Sequence, residues 1–148
     1  NYCLVRSINI DEAIGWADRS INSYFGEKNF STLSTYAGLL EKKGMKSRAD
    51  SVMQEAYPLA TTLQLYSYGR GLENQKRNAE AIAVYKISYE KKPDDLYSLM
   101  AVTRGYSLQG NKKEALKYAS KALTHAKNSY FEKYAEEVIP NLKEGKPF

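Results

Sequence analysis

The segment that decides the fold runs from Thr62 to Asp95 and has the sequence TLQLYSYGRGLENQKRNAEAIAVYKISYEKKPDD. Apolar and small residues recur in both halves at intervals of three and four, which is the period of an amphipathic α-helix. The polar run from Glu73 to Glu80 and the proline at position 93 mark turns. Because neither half has an apolar face wide enough to be stable alone, the segment predicts two helices that must stack on neighbours.

Small residues repeat this pattern along the chain. Ala13, Ala49, Ala81 and Ala115 lie 36, 32 and 34 residues apart. Each is followed seven residues later by a second small residue, which gives the set Ser20, Ala56, Ser88 and Ala122. A period near 34 residues indicates an array of helix-turn-helix repeats, in which small side chains let helices approach closely.

The periodicity predicts an all-α fold. The expected helices cover residues 10–25, 30–43, 46–57, 60–75, 78–91, 95–109, 112–126 and 129–143, after a remnant at 2–8. Gly44 and Gly110 are expected to end helices in the left-handed conformation, and Asn111 to cap the helix that follows. Pro140 should kink the last helix or end its regular part.

The pattern has the residue types of a known repeat family at several positions. In the central repeat these are Leu65, Tyr68, Gly69, Leu72, Ala81, Tyr85 and Pro93; the next repeat supplies Leu99, Val102, Tyr106, Gly110, Ala115, Ala119 and Ala122. In these residues the chain resembles the tetratricopeptide repeat family. The resemblance implies a right-handed superhelix of stacked antiparallel helix pairs. It also implies one domain over residues 1–148, with a truncated first repeat (1–28), repeats at 29–58, 59–93 and 94–127, and a capping helix with its tail (128–148).

A narrower resemblance involves Tyr2-Cys3, the run from Asp11 to Ala17 and the run from Lys28 to Leu33. In these runs the chain is similar to the C-terminal repeat region of a family of uncharacterised bacterial envelope proteins. In that family a β-rich domain of unknown function precedes the repeats. This resemblance implies a fragment of a longer protein with a periplasmic or secreted location, whereas the residues alone leave the location open.

The tetratricopeptide resemblance also implies a concave groove lined by the first helix of each repeat. Its candidate peptide-binding residues are Tyr66, Arg70, Glu73, Tyr97, Met100 and Arg104. Arginine presents a rigid fork of donors to carboxylates, so an acidic or C-terminal peptide would suit this lining. The alternative is that Arg70 and Arg104 pair with Glu73 or neighbouring acids, or face solvent.

Several classes of function are not indicated by the sequence. We expect no catalytic residues, no cofactor and no metal site, because His125 and Cys3 are the single histidine and cysteine. The net charge of +5 comes from interleaved basic and acidic residues, whereas a nucleic-acid binder would usually have a basic stripe, so no nucleic-acid partner is expected. No membrane insertion is expected either, since no apolar stretch approaches about 20 residues.

The leading hypothesis is therefore a non-enzymatic module that binds a protein or peptide in the groove. One alternative is a structural spacer that docks onto the missing N-terminal domain of its own parent protein. Another is an accessory domain of an enzyme whose catalytic part is absent here. Self-association through the truncated N-terminal end is also expected, because Ile14, Trp16 or Ala17 would be partly uncovered.

Two groups of residues keep two interpretations each. The thirteen tyrosines suit either core packing or a stacking or sugar-binding surface. Gly38, Gly71 and Gly105 fall inside predicted helices, where they either admit a ligand backbone or relieve crowding between repeats.

Overall fold

The computed structural model describes residues 9–23, 26–126 and 130–144, and within these ranges the chain is helical without any strand. The described part contains eight α-helices: α1 (Ile10–Asn22), α2 (Phe30–Lys42), α3 (Lys46–Ala56), α4 (Thr62–Asn74), α5 (Asn78–Lys91), α6 (Leu96–Leu108), α7 (Lys112–Ala126) and α8 (Tyr130–Glu144). A short 3₁₀ helix, Tyr57–Leu59, follows α3. The predicted remnant at 2–8 and Cys3 lie outside the described residues.

The predicted all-α class is confirmed, and the ends of the eight helices lie within three residues of the predicted positions. The largest difference is in α1, which ends at Asn22 rather than at residue 25. Pro140 lies inside α8, and the helix continues to Glu144. One form of the prediction, that Pro140 ends the regular part of the helix, is therefore wrong.

Left-handed residues end three of the helices. Gly44 has φ 83° and Gly110 has φ 72°, as predicted from their positions after α2 and α6. Lys76 takes the corresponding place after α4 with φ 61°, although it carries a side chain. A lysine in this conformation shows that the turn geometry recurs even where glycine does not.

Side-chain caps begin several of the helices. Asn29 and Thr32 form a reciprocal capping box at α2, and Thr61 and Gln64 form another at α4. Asn111 accepts from the backbone N–H of Glu114 at 3.3 Å, so the predicted cap of α7 is present. Such caps satisfy amide groups that would otherwise lack an acceptor in the first turn.

The chain divides into two compact units, the first unit (Asn1–Ala60) and the second unit (Thr61–Phe148). In the first unit α2 packs against both α1 and α3. Its buried side chains include Leu33, Leu40 and Met53. The hydroxyl group of Tyr36 accepts a 2.7 Å hydrogen bond from Arg48 Nη2.

In the second unit each of α5, α6, α7 and α8 packs against the helix before it, and α4 also packs against α6. Leu65, Ala81, Tyr85, Leu99 and Ala115 are fully buried in this core. The contact between α4 and α6 matters for function, since it sets the first helices of two successive pairs side by side.

The small residues that define the repeat period are mostly buried. All four alanines of the first set are buried, as are Ala56, Ser88 and Ala122. Ser20 is the exception, because it is exposed and its hydroxyl donates to the carbonyl oxygen of Ala17 at 2.8 Å. Ser88 is accommodated in the core because its hydroxyl oxygen lies 3.3 Å from the hydroxyl oxygen of Ser98, within hydrogen-bond distance.

Trp16 is 52% exposed on α1. Ile14 and Ala17 on the same helix are half-buried. This is the partial exposure that the sequence predicted for these three residues.

Candidate functional site

The six predicted peptide-binding residues come from two helices of the second unit. Helix α4 carries Tyr66, Arg70 and Glu73, and helix α6 carries Tyr97, Met100 and Arg104. The spacings of three, four and seven residues place each set on one helix face. Because α4 packs against α6, these two faces meet.

The strongest interaction between the two helices joins Arg104 to Glu73. Arg104 Nε donates to Glu73 Oε1 at 2.7 Å, and Nη2 donates to Oε2 at 2.6 Å. Only 9% of the arginine side chain and 10% of the glutamate side chain are exposed. Two parallel bonds of this kind fix the relative orientation of the groups, so the pair clamps α4 to α6.

A tyrosine from α5 completes this ion pair. The hydroxyl group of Tyr85, a fully buried residue, donates to Glu73 Oε1. Burial acts to raise the pKa of Glu73, but the hydrogen bonds from Arg104 and Tyr85 outweigh it and hold the pKa below its usual value. Burial, followed by the adjacent Glu73 carboxylate, raises the pKa of Tyr85 far above its usual value. Glu73 is therefore ionised and Tyr85 neutral at physiological pH.

Arg70 has a different environment from Arg104. Its Nη1 donates to the hydroxyl oxygen of Tyr66 at a long 3.4 Å, and its Nε is buried without an acceptor in the part of the chain that the structure describes. The guanidinium group of Arg70 is near enough to Glu73 to lower the pKa of that carboxyl, but the hydrogen bonds that Glu73 accepts come from Arg104 and Tyr85. Arg70 therefore still has N–H groups that can donate hydrogen bonds to a ligand, whereas Arg104 already donates to Glu73.

The aromatic residues of the site contact one another across the helices. The Tyr66 and Tyr97 rings lie 6.2 Å apart between centroids, inclined at 43°, and the Tyr66 and Tyr85 rings lie 6.3 Å apart. Tyr66 and Met100 are buried, whereas Tyr97 and Arg70 are half-buried. The accessible part of the predicted site is therefore centred on Arg70 and Tyr97.

The sequence left open whether Arg70 and Arg104 face a ligand or pair with acidic residues, and the structure gives a different answer for each arginine. Arg104 pairs with Glu73, which is the alternative to a groove role. Arg70 follows neither form of that alternative completely, since its bond goes to a tyrosine hydroxyl and its Nε lies buried. The two arginines therefore differ in their chemistry, although the sequence proposed both for the same site.

Sequence reasoning missed the role of Gly69. A β-carbon at this position would lie 2.3 Å from Tyr85 Cε1 and 2.8 Å from both Cδ1 and Cζ. The missing side chain lets the tyrosine ring lie against α4 and point its hydroxyl at Glu73. The available signal in the sequence is a glycine beside the apolar stripe of α4, in the helix that precedes the one carrying Tyr85.

The structure also distinguishes between the two interpretations of the glycines inside helices. Nothing in the described part of the chain lies within 4 Å of a β-carbon built at Gly38 or Gly71, so neither relieves crowding there. At Gly105 the β-carbon would lie 3.7 Å from Tyr85 Cβ, an ordinary contact.

The described residues contain no group of three or more histidine, cysteine, aspartate or glutamate side chains placed to hold a metal ion. A search of the same residues for a helix with the length and apolar character needed to cross a bilayer found none.

Comparison with known proteins adds no identity: no protein-family model matches the sequence, and no curated protein matches it either.

Proposed function

We propose that this chain is a non-enzymatic interaction module that binds a protein segment on the α4–α6 face, with Arg70 as the principal anchor. The observation that carries the proposal is the state of Arg70, whose buried Nε has no acceptor among the described residues and whose one hydrogen bond is 3.4 Å long. A buried donor without a partner costs about 1–3 kcal/mol. The side chain as a whole is only half-buried, and its weakly bonded Nη groups are the donors that can meet an acceptor of the ligand.

The same environment indicates the chemistry of the ligand. A guanidinium group prefers a carboxylate, which accepts two parallel hydrogen bonds from its fork of donors. Tyr97 is half-buried beside Tyr66 and offers amphipathic contact area at a small cost in side-chain entropy. An acidic side chain or a C-terminal carboxylate of the bound segment is therefore the group that meets Arg70.

The clamp between Arg104 and Glu73 supports this role indirectly. It holds α4 and α6 in one relative position before a ligand arrives, and such preorganisation reduces the entropy lost on binding. In this proposal the helix pairs are repeats of the tetratricopeptide kind, wound in a right-handed superhelix, and the face is part of its concave side.

The test uses a displayed library of random peptides. Peptides selected on the wild-type protein are labelled with fluorescein, and their binding to wild type, Arg70→Ala and Arg70→Lys is measured by fluorescence anisotropy. We expect selected peptides to be rich in aspartate, glutamate or a free C-terminal carboxylate. Arg70→Ala should weaken their binding about tenfold or more, since hydrogen bonds to charged groups contribute about 1.5–3 kcal/mol. Arg70→Lys should recover only part of the loss, because lysine lacks the planar fork.

Lys113→Ala is the matched control, because it also removes one positive charge but lies on the exposed surface of α7. It should leave binding unchanged apart from a small effect of net charge. If the selected peptides bind Arg70→Ala as tightly as wild type, the α4–α6 face is not the binding site.

A further inference from the structure

A cleft lies between α5 and α6 in the second unit, with a volume of about 310 Å³. We call it the tyrosine cleft; its lining comprises Ile82, Tyr85, Lys86, Tyr89 and Glu90 of α5 and Val102, Gly105, Tyr106 and Gln109 of α6. The lining residues recur at intervals of three and four on both helices, so each helix contributes one continuous stripe. The volume is at the lower end of the range for ligand pockets, about 300–1,000 Å³.

The ring of Tyr118, which lies on α7, holds two of the lining tyrosines in place. Tyr106 stacks on Tyr118 of α7 with 5.5 Å between ring centroids and an angle of 11°. Tyr89 meets the same ring edge-on, at 5.3 Å and 78°. The walls of the cleft therefore have fixed orientations before anything binds, which reduces the entropy cost of binding.

The interior of the cleft is apolar and its mouth is polar. Ile82, Val102 and the buried ring of Tyr85 line the interior, and the absence of a side chain at Gly105 leaves it open. At the mouth, Lys86 Nζ lies 3.7 Å from Glu90 Oε1, and these side chains are 73% and 62% exposed. The opposite charges leave the mouth with no net charge, and both donors and acceptors are available there.

We propose that the tyrosine cleft receives a neutral aromatic side chain, tryptophan or tyrosine, from a bound protein segment. Aromatic rings pack favourably edge-to-face or offset against tyrosine rings. The indole N–H or phenol O–H of such a side chain would face the mouth, where Glu90 and Gln109 offer acceptors. The charge balance of the mouth suits a neutral ring better than a charged one.

The open mouth favours a side chain over a free small molecule. Sites for small molecules bury about 70–90% of the ligand surface. Here the exposed Lys86 and Glu90 flank the opening, so an occupant keeps one side in solvent. A side chain has its own backbone on that side, and the backbone adds contacts along the helices. This site is separate from the Arg70 face and does not depend on it.

The test is a titration of the ¹⁵N-labelled protein followed by amide chemical shifts. The probes are the tripeptide acetyl-Gly-Trp-Gly-amide, its leucine counterpart and free indole. The tryptophan peptide should shift amides of α5 and α6 around the cleft. It should bind about tenfold more tightly than the leucine peptide, since each aromatic pair contributes beyond its buried area. It should also bind more tightly than indole.

Two variants alter the cleft by different amounts. Gly105→Ala places a methyl group at ordinary contact distance from Tyr85, so the protein should fold and bind the tryptophan peptide more weakly. Val102→Phe places a ring in the cleft itself and should abolish binding. Val52→Phe is the matched control, because Val52 is also half-buried on a helix but belongs to the first unit; it should leave the affinity unchanged. Circular dichroism checks that each variant is folded.

Several results would overturn the proposal. They are equal binding of the tryptophan and leucine peptides, shifts confined to residues away from the cleft, or wild-type affinity in both folded cleft variants. Tighter binding of indole than of the peptide would refute a protein segment as the occupant. Arg70→Ala leaves the lining of the cleft intact and should bind the tryptophan peptide with wild-type affinity, so loss of binding in this variant would refute a separate site.

Discussion

Gly69→Ala is the substitution that tests most directly how Tyr85 holds the second unit together. The added β-carbon would lie 2.3 Å from Tyr85 Cε1, whereas carbon atoms rest about 3.5–4.0 Å apart. The ring would have to withdraw by more than about 1 Å. Such a shift would pull the hydroxyl group of this fully buried tyrosine away from Glu73, to which it is bound.

Three contributions set the size of the effect. Overpacking a core costs about 1–3 kcal/mol. Loss of the hydrogen bond from Tyr85 to the ionised Glu73 costs about 1.5–3 kcal/mol. Alanine gains about 0.8–1 kcal/mol over glycine in a helix interior. We therefore expect Gly69→Ala to lower the free energy of unfolding by about 2–4 kcal/mol.

Gly71→Ala is the matched control on the same helix. No described atom lies within 4 Å of a β-carbon at Gly71, so only the gain in helix propensity remains. This variant should be more stable than wild type by up to about 1 kcal/mol. Urea unfolding followed by far-ultraviolet circular dichroism measures both changes, provided that the m-values agree.

A double variant shows whether the Tyr85 ring is the cause. In a Tyr85→Leu background the clash is removed, so adding Gly69→Ala should cost far less than it does alone. Equal stability of Gly69→Ala and Gly71→Ala would refute the reasoning, as would a full Gly69→Ala cost in the Tyr85→Leu background.

Two further predictions concern the second unit. Ala81→Leu should destabilise the protein by about 1–3 kcal/mol, because Ala81 is fully buried. Ala83→Leu, at an exposed position of the same helix, is the control and should have little effect. Equal urea midpoints of the two variants would contradict the repeat register. Glu73→Gln should cost about 3–5 kcal/mol at neutral pH by leaving Arg104 buried without its anion. Because the pKa of Glu73 is lowered in the folded state from a usual value of 4.5, its contribution is present above that value and is lost as the pH falls through the folded pKa. Unfolding measured from pH 7 downward should therefore show the gap between wild type and Glu73→Gln narrowing in acid, and a gap independent of pH would count against the ion pair. Glu55→Gln, at an exposed ion pair with Lys28, is the control and should cost less than about 1 kcal/mol.

The helices could be predicted because their signals are local. Apolar spacing, the capping residue Asn111 and the turn glycines Gly44 and Gly110 act within a few residues of one another, and all appear where expected. Ser20 shows the limit of this reasoning. It occupies the right place in the period but is exposed, because burial depends on which helix comes to lie beside it.

The candidate site could be predicted only in part. The sequence proposed both Arg70 and Arg104 as site residues, but could not tell which one is neutralised. The partner of Arg104 is Glu73, 31 residues earlier in the chain, and that bond exists only because α4 packs against α6. No spacing rule within one helix contains this information.

The sequence by itself determined the set of helices and the small residues on them that recur with the repeat period. It could do so because helix formation and capping depend on residues within one or two turns. The tertiary structure decided which cation is neutralised, why Gly69 must lack a side chain and where the tyrosine cleft opens. Each of these depends on distances between side chains of different helices. Those distances follow from the packing of the second unit, which places Tyr85 against α4 and sets Arg70 and Arg104 in unlike surroundings.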